Sequence, residues 1–173
     1  ITLVLPLTIT YQIGKSLVDK LASSMDEGSS SSSATVDNIR VQSKDLIPRK
    51  DRKYDVVMLG ATGFTGGLAV RHLAKTYGVP NGDNSTVQWA IAGRSKAKLQ
   101  QVLTELAIEL NMPDLAKEGS VDIIVCDTSN PTTLSAVVSN TRSVATTVGP
   151  FSLYGEPVIQ YCVNYGTHYT DIT

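Results

Sequence analysis

Cysteine is scarce, with Cys126 and Cys162 the two examples in 173 residues, too few for a disulfide framework or a cysteine-rich metal site. Both lie in apolar runs, Ile123-Ile124-Val125-Cys126 and Val158-Ile159-Gln160-Tyr161-Cys162-Val163, so buried, reduced thiols are expected. The net charge is only -1, which leaves no basic excess for a nucleic-acid partner. No stretch reaches the roughly 18 to 20 apolar residues that a membrane-crossing helix needs. No Cys/His cluster has metal-ligand spacing, so no metal is expected. What remains, 42% apolar and 18% charged residues, is ordinary globular composition and excludes a wholly disordered or fibrous chain.

The length suits one domain with a buried core and is short for a dinucleotide-binding domain plus a full substrate domain. Ile1 stands where an initiator methionine would, and Thr173 follows what reads as a strand, so a fragment at both ends is expected. Residues 1–52 read as a disordered or irregular extension. The opening Ile1-Thr2-Leu3-Val4-Leu5-Pro6-Leu7-Thr8-Ile9 is apolar but short, carries a proline and lacks a positive flank. It reads as a tail, with a truncated targeting segment as the competing view. Serine dominates 23–33, a composition that cannot bury enough apolar area to offset the entropy of ordering it. The stretch 37–53 is charged and interrupted by Pro48, which places the domain boundary near Arg52 and the domain itself over 53–173.

From Tyr54 onward, short β-branched runs alternate with amphipathic segments, the pattern of a parallel sheet with crossover helices. The expected strands are Asp55–Leu59, Val87–Ala92, Asp122–Cys126, Ser143–Val148 and Thr167–Ile172. Leu99, Val102, Leu103, Leu106 and Leu110 recur at helical spacing. The other crossovers fall over Gly63–Tyr77, Pro131–Ser139 and Glu156–Tyr165. Right-handed connections then predict an α/β fold, a Rossmann-type doubly wound parallel sheet of order 3-2-1-4-5.

A pyrophosphate needs backbone N–H donors and a positive partial charge with no side chain in the way, which a helix N-terminus directly after a strand supplies. Here the strand runs into Gly60-Ala61-Thr62-Gly63-Phe64-Thr65-Gly66. Gly60 permits the sharp turn, Gly63 admits the phosphate and Gly66 lets the helix pack closely, with hydroxyls from Thr62 and Thr65 nearby. The spacing departs from G-x-G-x-x-G, since position 62 is threonine; its strand-to-helix context gives it weight.

Cofactor choice is read at the end of the second strand, where NAD sites place a carboxylate for the ribose and NADP sites place cations and hydroxyls for the 2′-phosphate. The sequence there is Ala90-Ile91-Ala92-Gly93-Arg94-Ser95-Lys96, with no carboxylate. Arg94 offers a planar charged fork and Ser95 a hydroxyl that can also cap the next helix, so NADP(H) is expected over NAD(H). Asp127, after the third strand, is a candidate for the adenine side or a cap for the helix near Pro131. Gly149 and Pro150, after the fourth, would form a rigid turn by the nicotinamide ribose, while Phe151 is expected to pack rather than stack on the ring.

These motifs, together with Val148-Gly149-Pro150-Phe151, Tyr154-Gly155-Glu156-Pro157 and Gly166-Thr167-His168-Tyr169-Thr170-Asp171, resemble the amino-terminal domain of saccharopine dehydrogenase-like oxidoreductases and bacterial trans-acting enoyl reductases. The resemblance runs from Tyr54 to Thr173. It implies a Rossmann domain followed by a larger α+β domain, with hydride donated by a reduced nicotinamide cofactor. It further implies an enoyl or other lipid-related substrate, and by likeness to eukaryotic members an association with lipid droplets or membranes. An intracellular, cytoplasmic setting is expected. The sequence ends where the family pattern continues, so substrate-specific residues are not expected here.

No acid, base or nucleophile has a visible partner. His168 and Asp171 lie near the last strand, and packing or capping is favoured for both. Tyr154, Glu156 and Pro157 read as the opening of a helix, with contact to the nicotinamide end as the minor view. The Tyr-x-x-x-Lys pair of short-chain dehydrogenases occurs only as Tyr11 and Lys15, upstream of the domain. Two alternatives to an oxidoreductase stay open: a non-catalytic NADP sensor, and a lipid-droplet or membrane-associated scaffold. Failure to bind either nicotinamide cofactor would favour the scaffold.

Overall fold

A computed structural model describes residues 46–82 and 85–172; the apolar opening over 1–9 and the serine-rich stretch over 23–33 lie outside the described residues. From Tyr54 the chain alternates β1 (Tyr54–Leu59), α1 (Phe64–Tyr77), β2 (Trp89–Gly93), α2 (Lys96–Glu109), β3 (Asp122–Val125), α3 (Pro131–Ser139), β4 (Thr141–Thr146), α4 (Phe151–Tyr165) and β5 (His168–Thr170). The strands form one sheet of order β3-β2-β1-β4-β5, parallel throughout. This is the doubly wound arrangement that right-handed crossovers dictate.

Strand side chains alternate between two cores because successive Cβ atoms point to opposite faces. Met58, Trp89 and Ile91 join Val70 and Ala74 of α1 and Leu99 and Leu103 of α2 on one face. Val57, Leu59, Ala90 and Ala92 join Leu134 and Val138 of α3 and Val158 and Cys162 of α4 on the other. Both faces of the central strands are thus covered, which is why they read as unbroken apolar runs. The buried Trp89 indole donates to the Gly78 carbonyl at 3.1 Å, tying the end of α1 to the sheet.

Element ends depart from the sequence expectation where side chains compete with the ladder. β4 starts two residues early, at Thr141, whose hydroxyl donates to the Ser143 carbonyl at 3.0 Å. It ends before Val148, whose N–H donates to Thr146 Oγ1 at 3.2 Å instead of to a strand. The expected helix over 156–165 begins at Phe151, because Leu153 and Tyr154 N–H groups already close on the Pro150 carbonyl at 3.0 and 3.2 Å. Pro157 therefore lies inside α4 rather than in its first turn, where it gives up one intrahelical donor.

At the sheet edge opposite the strand C-termini, Arg52 is buried at 6% exposure. Its guanidinium donates to the Thr141 carbonyl at 2.9 Å, to Thr167 Oγ1 at 2.8 Å, to the Ile47 carbonyl at 3.1 Å and to the Tyr165 carbonyl. Burial, and then the charge of Arg49, lower its pKa. Nearby, Arg142 pairs with Asp55 at 2.6 Å and also donates to the Arg49 carbonyl at 2.9 Å. Residues just before β1 are thereby fastened to the start of β4.

Cys126 and Cys162 are free and buried. Burial pushes their thiols from 9.0 to about 11 and about 12. A raised folded-state pKa means that the stability contribution is complete below the unfolded value and fades as pH climbs through the folded one. The expected outcome is a melting temperature that falls as pH rises from about 9 towards 12. In parallel, a thiol reagent at neutral pH should label neither cysteine until the chain is denatured; stoichiometric native labelling would contradict the burial.

Candidate functional site

The site begins where β1 ends. Gly60 adopts φ +88°, and a Cβ there would stand 3.0 Å from both Thr147 Oγ1 and Val148 Cγ2. Glycine alone lets β1 turn this sharply beside the end of β4. The Gly63 N–H closes the turn on the Gly60 carbonyl at 3.0 Å, and α1 starts at once with Gly63 as N-cap and no side-chain cap. The amides of its first turn, from Phe64, Thr65 and Gly66, are donors that a helix cannot satisfy internally. Two other helices are capped: Ser95 Oγ accepts from Lys98 N at 3.4 Å, and Asn130 Oδ1 accepts from Thr132 N at 3.0 Å.

Three glycines divide the work. A Cβ on Gly66 would fall 2.1 Å from the Gly60 carbonyl oxygen, so Gly66 is needed for α1 to seat against the turn. A Cβ on Gly63 would meet only Gly60 O, at 3.5 Å, which is ordinary contact. The protein's own packing therefore gives no reason for bare backbone at Gly63, which lines a cleft.

That cleft, about 430 Å³, lies at the carboxyl edge of the sheet. Of the residues singled out in the sequence, it gathers Gly60, Thr62, Gly63, Arg94, Asp127, Gly149 and Pro150. Ser95 is placed at the N-cap of α2, Gly66 is buried beneath the turn, and Thr65 is an exposed residue of the first helical turn. Phe64, 86% exposed, borders instead a groove of about 280 Å³ between α1 and α2, together with Leu68 and Arg71.

The Arg94 side chain is exposed at the tip of β2 and makes no hydrogen bond or ion pair with another described residue. It is the one cation among the described residues lining the cleft. Asp127 lies close enough to feel it, but its carboxylate accepts from Ser129 N at 3.0 Å and Ser129 Oγ at 2.7 Å. Those bonds first, and the charge of Arg94 after them, hold Asp127 below the usual aspartate range. The helix at Pro131 is capped by Asn130, so the capping role considered for Asp127 is taken by another residue.

Sequence reasoning missed Thr128, Ser129, Thr147 and Val148 as cleft residues. Ser129 carried a local signal, since Asp-x-Ser favours a side-chain turn. Thr147 carried none: its hydroxyl donates to the Gly60 carbonyl at 3.2 Å across 87 residues of sequence. Phe151 packs as expected, its ring so close that a Cβ on Gly155 would stand 2.4 Å from it. Among the described residues, no group of three or more His, Cys, Asp or Glu could hold a metal ion, and no helix is long and apolar enough to cross a membrane.

Residues 56–173 match the family model described as the saccharopine dehydrogenase NADP-binding domain. The chain belongs to that family. Mouse saccharopine dehydrogenase-like oxidoreductase is 41% identical over 123 residues, covering 71% of this chain and 28% of the mouse protein. A trans-acting enoyl reductase of Mycobacterium tuberculosis is 38% identical over 123 residues, 71% of this chain and 26% of that protein. The chain thus spans little more than a quarter of either relative. A solved short-chain dehydrogenase/reductase from Veillonella parvula is similar in fold, with a TM-score of 0.50 and 14% identity over 70% of this chain and 47% of that one. Family membership makes the domain a nicotinamide dinucleotide-binding one, and its cleft has the position that such ligands take in open α/β sheets, beyond the strand carboxyl ends.

Proposed function

We propose that the chain binds NADP(H) in preference to NAD(H) and serves as the cofactor half of a hydride-transfer oxidoreductase acting on an enoyl or other lipid-related acceptor. The observation that carries the cofactor choice is Arg94: exposed at the end of β2, hydrogen-bonded to no described residue, with no carboxylate beside it on the β2 tip. The uncapped amides of Phe64 and Thr65 above bare Gly63 would hold the pyrophosphate. Arg94 would take the 2′-phosphate through its guanidinium fork, with Ser95 adding its hydroxyl while it caps α2. Asp127 would meet the adenine side, and Gly149 and Pro150 the nicotinamide ribose. When bound, the reduced cofactor supplies a hydride to an electrophilic carbon. The acceptor class is suggested by the name of the mycobacterial relative.

Fluorescence titration of NADPH and NADH against the wild-type chain and Arg94→Ala tests this. Charge-assisted bonds contribute roughly 1.5–3 kcal/mol each, less where exposed, so the variant should lose about 10- to 100-fold for NADPH and about twofold or less for NADH. Equal losses for the two cofactors, or none, would remove the 2′-phosphate role.

A further inference from the structure

We infer that Tyr154 is the contact for the nicotinamide half of the dinucleotide, its hydroxyl hydrogen-bonding the second ribose or the carboxamide. The inference rests on the NADP(H) reading, in which Gly149 and Pro150 already face the nicotinamide ribose, and adds a side-chain contact to it. In the sheet order β3-β2-β1-β4-β5, the ends of β2 and β4 flank the end of β1 at about 4.8 Å per strand. With the 2′-phosphate at Arg94 after β2 and the pyrophosphate at the glycine turn after β1, the other nucleotide half is left with the end of β4.

That side of the cleft is poor in polar groups. Val148, Gly149 and Pro150 offer no polar side chain, and the Thr147 hydroxyl is engaged with the Gly60 carbonyl at 3.2 Å. Tyr154, on the first turn of α4, lines the same cleft at 43% exposure. Its hydroxyl has no hydrogen bond to any described residue, whereas Tyr54, Tyr165 and Tyr169 bond Asp122, Ser135 and Asp171. Phe151, the other aromatic residue of that turn, is occupied by its packing on Gly155. Tyr154 is therefore the side-chain hydrogen-bond donor that the β4 side of the cleft still has to offer among the described residues, and a ribose or a carboxamide oxygen is what needs one.

The test compares NADPH with adenosine 2′,5′-bisphosphate, which keeps the adenine and the 2′-phosphate and lacks the second nucleotide half. Tyr154→Phe, which retains the ring, should weaken NADPH about 3- to 10-fold, the scale of one net hydrogen bond, and leave the bisphosphate within about twofold. Arg94→Ala should weaken both ligands. Melting curves verify that each variant is folded. Unchanged NADPH affinity in Tyr154→Phe, or equal losses for both ligands, would overturn the inference while leaving the cofactor reading intact. A wild-type chain that binds neither ligand would overturn both.

Discussion

Replacing Arg52 with alanine should lower the unfolding free energy by about 3 kcal/mol, read as a lower urea midpoint at unchanged slope. Arg52 donates from its guanidinium to the carbonyls of Thr141 and Tyr165 and to Thr167 Oγ1. Its removal takes the guanidinium donor from the Thr141 and Tyr165 carbonyls and opens a void beside them, while Thr167 Oγ1 keeps its bond to the Val138 carbonyl at 2.7 Å. Charged hydrogen bonds contribute roughly 1.5–3 kcal/mol apiece but act as a unit here, so the sum is not additive. Lysine should not rescue, because one ammonium cannot reproduce a fork whose arms reach β4, the end of α4 and the approach to β5. Arg52 lies at the sheet edge away from the cleft, so nucleotide affinity in the folded variant should match wild type. A loss below about 1 kcal/mol would mean that these bonds are replaced by water at little cost.

The second large effect separates two glycines three residues apart. Gly66→Ala places a methyl 2.1 Å from the Gly60 carbonyl oxygen, so α1 must withdraw; overpacking of this kind costs about 2–3 kcal/mol. Gly63→Ser should do the opposite to stability, because serine is a favoured N-cap and its Cβ would meet only Gly60 O at 3.5 Å. Its side chain would nonetheless fill the space assigned to the pyrophosphate, and NADPH affinity should fall by on the order of 100-fold, the equivalent of about 2.7 kcal/mol. A stable Gly63→Ser that binds NADPH like wild type would show that the phosphate does not rest there.

The local signals in the sequence were strong where chemistry and backbone geometry coincide. Gly60, Gly63 and Gly66 could be read because each answers a constraint visible within one strand-turn-helix unit, and Met58, Ile91 and Leu99 because strand and helix periods mark their faces. The boundaries of β4 and α4 could not, because they depend on which acceptor wins. Thr146 Oγ1 takes the Val148 N–H out of the ladder, and Pro150 starts a helix that tolerates Pro157 in its interior. The β4 side of the site was least legible. Thr147 reaches the glycine turn only through tertiary approach, and Phe151 packs on Gly155 while Tyr154 lines the cleft.

One edge of the sheet is tied by the buried guanidinium of Arg52, and the other carries the uncapped first-turn amides of α1 and an unengaged Arg94. The central claim concerns those donors. Backbone amide resonances of the chain should be followed by NMR as NADPH is added. The account predicts that Gly60, Gly63, Phe64, Thr65 and Arg94 move furthest, saturating together. Shifts confined to the groove between α1 and α2, around Leu68, Arg71 and Glu105, with Gly63 and Arg94 unmoved, would contradict it.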